Sequence, residues 1–295
     1  MVSIMPCDKL ILLSTEIRPA FLRIAESSGE PKWGYKAFLN LTKTADELPV
    51  HLYCHGRRTG IHKIEFLNVS RLGLLKTQAA VRRLLPEGAQ ARIARIDWCV
   101  DLPNISISEV AASCVVIGSQ NCAYFHSRNG SSFYPQKSSQ RSVLIYEKLK
   151  LSRARHKEFA KIYPNASDVT RLEVQLRGRG VPIRSFERIP DYADFNLLAN
   201  VRFAPFLIPV GLSPMEQLAA HALKACAGEV GIQRLSKCFS RDDWSKISSR
   251  LLSQSSVPGF PDIHALFQKS TQDWLESRIR FPRLASAGDQ TKEPN

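Results

Sequence analysis

The sequence predicts an α+β protein with a mostly antiparallel sheet, helices on one face of that sheet and a smaller helical region at the C-terminus. Three segments lead to this prediction, namely Arg92 to Leu102, Val143 to Lys150 and Thr170 to Arg177. In each of them apolar residues alternate with residues that are mostly charged or polar, as in a strand with one buried and one wet face. After Ser213 the spacing of apolar residues becomes helical.

The first part of the chain contains a predicted hairpin and a predicted helix. Asp8 to Leu48 mixes strand and helix signals with Gly and Pro breaks, so no element is assigned there. Val50 to Cys54 and Ile61 to Leu67 flank a glycine-containing turn and predict a hairpin. The spacing of leucine, alanine and valine predicts a helix over Val69 to Leu85, which Pro86 ends.

The central part continues with strands. The first alternating segment leads into Ser106-Ile-Ser-Glu109, a capping box that starts a helix expected to reach about Ile117. Ala123 to His126 is a predicted short strand. The segment Asn129 to Arg141 is rich in Gly, Ser, Asn and Gln, which predicts a mobile surface loop before the second alternating segment.

The remainder is predicted to be mainly helical. Leu151 to Ile162 reads as a basic helix before the third alternating segment. Ser213-Pro-Met-Glu216 is a second capping box with Pro at the first helical position, and the helical pattern runs to about Gln254 and again over Phe260 to Leu275. The predicted division is a main domain over residues 1–210, a helical C-terminal region over 211–284 and a disordered tail over 285–295.

The composition indicates a polyanionic partner. The formal net charge is +14, and between Arg141 and Arg188 there are 12 Lys or Arg against five Asp or Glu, so half of the excess surrounds the second and third segments. A membrane surface would also attract this charge, but no segment is apolar enough to span a bilayer. The seven cysteines include no C-x-x-C pair, and no signal peptide is evident, so we expect a cytoplasmic protein.

The alternation also gives each segment one face of charged and polar residues, which we call its loaded face. That face carries Arg95, Asp97, Cys99 and Asp101 in the first segment, Tyr146 and Lys148 in the second, and Arg171, Glu173, Gln175 and Arg177 in the third. A wet sheet face by itself gives such a pattern. Three successive segments with complementary chemistry instead favour one surface on which a tyrosine, a lysine and carboxylates converge, and such a surface suits phosphate chemistry.

A tyrosine hydroxyl has a pKa of about 10 in water, so it needs a nearby cation to become a nucleophile. Lys148 supplies one cation, and Mg²⁺ or Mn²⁺ held by carboxylates would supply a second. The best candidate ligands are Asp97 and Glu173, with Glu65 and Asp101 as additional candidates. For Glu65 and Asp101, a solvated strand residue is an equally good interpretation.

Three motifs in a fixed order resemble those of rolling-circle replication initiators. They are R-I-D at Arg95 to Asp97, V-L-I-Y-E-K at Val143 to Lys148 and R-L-E-V-Q-L-R at Arg171 to Arg177. The resemblance is to the replication initiation factor family of plasmids and, most closely, to the replication endonuclease of filamentous phages. It covers about residues 50–190 and implies that residues 1–210 form a catalytic nickase domain around that core.

The resemblance implies a metal-dependent nickase that joins its tyrosine to the 5′ phosphate at the origin and later rejoins the displaced strand. Carried over residue by residue, Tyr146 matches the nucleophile, Lys148 its cationic neighbour, Asp97 and Glu173 the acidic positions, and Glu65 a looser acidic position. The implied cofactor is Mg²⁺ or Mn²⁺. The implied partners are supercoiled origin DNA, single-stranded DNA and the replication helicase and polymerase of a bacterial host, in whose cytoplasm it would act; oligomerisation is left open.

Arginine and aromatic residues are candidates for contacts with DNA. Forked guanidinium groups suit phosphates, and the candidates for this role are Arg95, Arg171, Arg177 and Arg179. Arg171 has the alternative of pairing with Asp97 or Glu173. Phe133 and Tyr134 of the polar loop are candidates for stacking on unpaired bases.

Two other functions fit parts of the sequence. A basic protein that binds origin or single-stranded DNA without cutting it would share the charge but lack the activity. A tyrosine recombinase is suggested by the H-x-x-R motif of His55-Gly-Arg-Arg58, although in such enzymes the tyrosine follows more closely and no metal is needed. Resistance of cutting to EDTA would identify the recombinase.

Overall fold

The computed structural model describes residues 7–43, 49–67, 69–116, 123–127, 130–148, 162–203, 213–214, 217–218, 237–251 and 261–277. These residues form an α+β fold around one ten-stranded sheet in which every pairing is antiparallel. The predicted fold class is therefore confirmed. Four helices, at Pro19–Ser28, Val69–Leu84, Ile107–Ser113 and Ile263–Leu275, contact the sheet and share one hydrophobic core with it.

The strands are β1 (Cys7–Ser14), β2 (Glu30–Lys32), β3 (Tyr35–Asn40), β4 (Val50–Gly56), β5 (His62–Phe66), β6 (Arg92–Pro103), β7 (Cys114–Val116), β8 (Ala123–Ser127), β9 (Gly130–Lys137), β10 (Arg141–Glu147), β11 (Val169–Arg177) and β12 (Val201–Phe203). The helices whose bounds lie within the described residues are α1 (Pro19–Ser28), α2 (Val69–Leu84), α3 (Ile107–Ser113), α4 (Arg241–Leu251) and α5 (Ile263–Leu275). Short 3₁₀ turns occupy Leu41–Lys43, Gly178–Gly180 and Ile189–Asp194.

The strand order in the large sheet is β2-β3-β4-β5-β1-β6-β11-β10-β9-β8, while β12 and β7 form a separate pair. The three alternating segments become β6, β10 and β11, with β11 in the middle. The predicted hairpin is β4 and β5. The N-terminal strand β1, which the sequence pattern left unassigned, completes the centre of the sheet between β5 and β6.

The C-terminal helix α5 belongs to the main core. Its Trp274 meets Trp98 of β6 edge to face, with ring centroids 5.4 Å apart, and its indole N–H donates to the Val69 carbonyl of α2 at 2.9 Å. Burying two indole rings and the apolar stripe of α5 stabilises the sheet and helix together. The predicted helical C-terminal region thus includes a helix that packs on the sheet of the predicted main domain.

Tertiary contacts change two of the predicted helices. The predicted single helix of α2 is interrupted at Gly73, which has φ 67 and ψ 171 and where an added Cβ would lie 2.8 Å from the Ser277 hydroxyl. The helix α3 starts at the predicted capping box but ends at Ser113, because the chain from Cys114 pairs with β12.

The predicted mobile loop is largely the strand β9, which hydrogen bonds to both β8 and β10. Its Phe133 is buried in the core, so the prediction that this ring stacks on bases is wrong. Pairing with two neighbouring strands outweighs the turn-forming composition of the segment. The predicted basic helix, except Ile162, and the predicted tail lie outside the described residues. Of the second capping box, the structure describes Ser213 and Pro214, and the Gln217 N–H donates to the Ser213 carbonyl at 2.8 Å.

Within the described ranges, no helix has the length and hydropathy needed to cross a membrane. The described cysteines Cys7, Cys54, Cys99, Cys114 and Cys238 are all free thiols.

A buried histidine in the β4–β5 hairpin should make stability pH dependent. Burial lowers the pKa of His62 to about 4, with the nearby His55 adding to the effect, and the ring nitrogen Nδ1 of His62 accepts the His55 N–H at 3.3 Å. A histidine in the unfolded chain has a pKa of about 6.5, so the unfolded state takes up a proton before the folded state does. The free energy of unfolding should therefore fall as pH decreases from about 6.5 to about 4, at no more than roughly 1.4 kcal/mol per pH unit.

Urea unfolding at several pH values measures this effect. His62→Asn keeps a hydrogen-bond acceptor but does not titrate, so its free energy of unfolding should fall less steeply over that pH window than that of the wild type. Parallel curves for the two proteins would contradict the assignment.

Candidate functional site

The strand register places the loaded faces of β6, β11 and β10 side by side. Arg171 of β11 lies opposite both Asp101 of β6 and Tyr146 of β10, and Glu173 lies opposite Cys99 of β6. Directly opposed residues of an antiparallel pair point to the same face. We call this surface, on the side away from the helices, the polar face. The sequence pattern therefore placed these side chains on the correct side of the sheet.

The Tyr146 hydroxyl lies between a carboxylate and an ammonium group. It donates to Glu173 Oε2 at 3.2 Å, and Lys148 Nζ lies 3.5 Å from the same hydroxyl oxygen. Tyr146 is partly exposed, whereas Glu173 and Lys148 are buried. The hydroxyl thus has a partner that can take its proton and a partner that can offset a phenolate charge.

The pKa values of these three groups are shifted by their surroundings. Burial raises the pKa of Tyr146 well above its usual value, and the Glu173 charge adds to this. Burial also lowers the pKa of Lys148, together with the charge of Arg171. Burial, followed by the charges of Asp8 and Asp97, raises the pKa of Glu173 to about 7. Glu173 therefore titrates near neutral pH, which is suitable for accepting a proton.

An ion network centred on the buried Arg171 lies beside the tyrosine. The Arg171 guanidinium, which is 0% exposed, donates to both Asp101 oxygens, with Nη2 2.7 Å from Oδ2, and also donates to Asp8. Asp8 lies 3.5 Å from Lys148 Nζ, and the Tyr163 hydroxyl donates to Asp101 Oδ2 at 2.7 Å. Burial opposes ionisation of Asp8, but Arg171 and Lys148 lower its pKa below the usual value.

This network corrects two predicted roles. Arg171 cannot contact DNA phosphates from a fully buried position, and it pairs with Asp101 and Asp8 rather than with Asp97 or Glu173. Asp101 is neither a solvated strand residue nor an available metal ligand, because Arg171 and Tyr163 occupy its oxygens. Asp8 was missed because it lies where the β1–β6 register shifts, in a segment whose pattern is too irregular to assign.

The predicted acidic pair, Asp97 and Glu173, lies on the polar face. Asp97 is opposite Gln175, whose side-chain amide donates to Glu173 Oε1 at 2.7 Å. The Arg95 Nε is 2.9 Å from both Asp97 oxygens. Burial still raises the pKa of Asp97, because the attraction of Arg95 does not outweigh desolvation and the repulsion of Asp8.

Glu65 does not join this pair. It lies on β5, and its carboxylate contacts Lys9 Nζ at 2.7 Å and Lys63 Nζ at 3.1 Å. Burial would raise its pKa, but hydrogen bonds from the two lysines lower it to about 2. Two lysine ammonium groups therefore contact the Glu65 carboxylate oxygens, and this arrangement differs from the predicted role of Glu65 as a metal ligand.

Asp97 and Glu173 fit a divalent ion that is held by two carboxylates, and not a site built from three or more protein ligands. Among the described residues there is no cluster of three or more His, Cys, Asp or Glu side chains arranged for a metal. Mg²⁺, however, is commonly held by one or two carboxylates together with water and substrate phosphates. Asp97 and Glu173 are buried acids with raised pKa values, and a cation would relieve the repulsion that Asp97 exerts on Glu173. A metal at Asp97 would have to share or replace the Arg95 ion pair.

The other predicted arginines occupy different positions. Arg95 is only partly exposed and is engaged with Asp97. Arg177 is partly exposed and donates to the Gln175 side-chain carbonyl, while Arg179 is exposed in the turn after β11. Of the predicted set, Arg179 is the most accessible to a phosphate.

The motif that suggested a recombinase lies far from the tyrosine. His55 lies next to the end of β4 with Arg58 in the following turn, and β5, β1, β6 and β11 separate β4 from β10. Five strand spacings amount to about 24 Å, too far for these side chains to contact the phosphate at Tyr146.

No protein-family model matches the chain, and no curated protein matches its sequence.

Proposed function

We propose that this protein is a metal-dependent, site-specific endonuclease and rejoining enzyme for single-stranded DNA that initiates rolling-circle replication. The observation that carries the proposal is the Tyr146 hydroxyl in contact with both Glu173 and Lys148 on the polar face. A tyrosine that serves only packing has no need of a carboxylate with a pKa of about 7 and a buried ammonium group. Both partners suit a tyrosine that loses its proton during a reaction.

The proposed cutting step exchanges one phosphate ester for another. Glu173 accepts the hydroxyl proton, and the Tyr146 oxygen attacks the phosphorus of the strand. The bond from phosphorus to the 3′ oxygen breaks, and that oxygen takes up a proton from water. Lys148 offsets the phenolate charge during the attack, and Asp8, which is itself paired with Arg171, holds Lys148 in place.

Mg²⁺ or Mn²⁺, held by Asp97 with Glu173 as the second candidate ligand, would supply positive charge to the phosphoryl oxygens. When Glu173 is a ligand, its pKa is lowered and water accepts the Tyr146 proton instead. The new tyrosyl phosphate ester conserves the energy of the broken one, so a 3′ hydroxyl can reverse the reaction and rejoin the strand. Glu173 then returns the proton to Tyr146.

The charge of the chain supports a DNA substrate. The net charge of +14 attracts a polyanion, and Arg177 at the end of the strand that carries Glu173 and Arg179 in the turn after it are candidates for contacts with phosphates. Rolling-circle initiation also implies the replication helicase and polymerase of a bacterial host as partners, and action in the host cytoplasm.

The experiment that tests the proposal is a search for a covalent adduct. With Mg²⁺ or Mn²⁺, the protein should convert supercoiled origin DNA to open circles that carry protein after boiling in detergent, and EDTA should prevent this. Supercoiling should be required because it lowers the cost of unpairing the nick site. Mass spectrometry of the digested adduct should find nucleotide on the peptide containing Tyr146.

Other outcomes lead to different conclusions. Adduct formation that resists EDTA would remove the metal from the proposal. Nucleotide on another tyrosine would overturn the site while leaving the enzyme class. DNA binding with no adduct under either metal would favour the non-cutting binding protein.

A further inference from the structure

The turn between β2 and β3 contains a residue that its backbone does not favour. Trp33 and Gly34 form a two-residue hairpin loop with φ 49 and φ 81. Positive φ at both positions is the type I′ geometry, in which Asn-Gly is preferred and a bulky side chain is strained. Tryptophan is therefore not explained by the turn itself, and strained residues of this kind often mark functional sites.

Trp33 is the exposed member of an aromatic cluster with two lysines. Its indole is 73% exposed and stacks on Tyr53, with ring centroids 5.9 Å apart and an interplanar angle of 17°. The Phe38 ring also packs on Tyr53, with ring centroids 5.0 Å apart. Lys32 Nζ lies 4.8 Å from the Trp33 ring centroid, and Lys63 Nζ lies 3.6 Å from that of Tyr53. We call these five residues the aromatic platform.

A chain of contacts places the platform on the polar face. The Tyr53 hydroxyl donates to Glu65 Oε2 at 3.3 Å, Glu65 contacts Lys9 at 2.7 Å, and Lys9 is the register partner of Asp97. The platform and the Tyr146 site thus share one surface. The strands β4 and β10 that carry Tyr53 and Tyr146 are five strand spacings apart, or about 24 Å.

We propose that the aromatic platform binds unpaired bases of the DNA strand that is cut at Tyr146. This inference rests on the proposed function. An exposed indole offers a π face to any base, and lysines beside it attract the backbone phosphates, which is the combination found in proteins that hold single strands. A span of about 24 Å is compatible with the roughly 4 to 16 nucleotides that such surfaces cover. The strand would run from the platform past Lys63 and Lys9 to the tyrosine.

The backbone of the turn makes a clean test available. Trp33→Asn creates the preferred Asn-Gly pair, so the melting temperature should stay close to that of the wild type while the stacking surface is lost. Its affinity for oligothymidylate should fall by about tenfold, the scale expected for losing one aromatic stack. Trp33→Phe should retain affinity within about threefold because phenylalanine can still stack, whereas Trp33→Leu should lose as much as Trp33→Asn.

Fluorescence supplies a direct readout. The other three tryptophans, Trp98, Trp244 and Trp274, are buried, so quenching by added oligothymidylate should come from Trp33 and should vanish in Trp33→Leu. The control is Leu75→Ala, which removes an exposed apolar residue of α2 and should leave affinity unchanged.

The outcomes separate this inference from the proposed function. If the adduct on Tyr146 forms but Trp33→Asn binds oligothymidylate like the wild type, the platform is overturned while the nickase stands. If no adduct forms but Trp33→Asn loses affinity and Trp33→Phe keeps it, the platform stands as a single-strand binding site without the chemistry. Equal losses in Trp33→Phe and Trp33→Leu would also overturn the stacking role.

Discussion

Tyr146→Phe is expected to lower the rate of origin nicking by at least about 1,000-fold, because it removes the only atom that can form the phosphate ester. Origin binding should stay within about threefold, since phosphate contacts come from other residues. The measurements are initial rates of open-circle formation and binding of labelled origin DNA to the same protein preparations. The fold should tolerate the change, because the ring remains and Glu173 keeps the Gln175 hydrogen bond.

The matched control is another tyrosine close to the same carboxylate. Burial raises the pKa of Tyr134, and the Glu173 charge is the next cause, so this residue lies within the electrostatic reach of the site. Tyr134→Phe should change the nicking rate by no more than a few fold. Lys148→Ala should give an intermediate loss. If Tyr134→Phe stops nicking and Tyr146→Phe does not, the nucleophile has been assigned to the wrong strand.

Arg171→Leu is expected to lower the free energy of unfolding by about 3 to 5 kcal/mol, because it leaves the buried carboxylate of Asp101 without its cation. Arg171 is fully buried and is shared by Asp101 and Asp8. Urea unfolding of wild type and variant at pH 7 measures the loss. Arg179→Leu is the matched control: it changes an exposed arginine at the end of the same strand and should alter stability by no more than about 0.5 kcal/mol.

A double variant tests the cause of this loss. Asp101→Asn removes one of the two negative charges that Arg171 neutralises, so the double variant should be less destabilised than the sum of the single variants. Additive losses would mean that the lost packing of Arg171, and not the orphaned charge, destabilises the protein. A loss below about 1 kcal/mol in Arg171→Leu would contradict the structural role of the network.

Alternation in the sequence was sufficient to predict the strands and their sides. Successive side chains of a strand point to opposite faces whatever the strand pairs with, so β6, β10 and β11 and the polar side of each strand, which carries Asp97, Tyr146 or Glu173, follow from local pattern alone. The capping box at Ser106 is local in the same way, since both of its hydrogen bonds lie within four residues.

Partners across the sheet were decided only by the tertiary structure. Strand order and register between segments far apart in the chain decide which acid pairs with Arg171. They also decide that Glu65 forms an ion pair with Lys9 and does not join Asp97 in the candidate metal site. The same holds for β9, whose backbone pairing overrides a turn-like composition, and for Trp33, which reaches the polar face through Tyr53. Local propensity determines what a segment can become, but burial and backbone hydrogen bonding between distant segments determine which charges and rings come into contact.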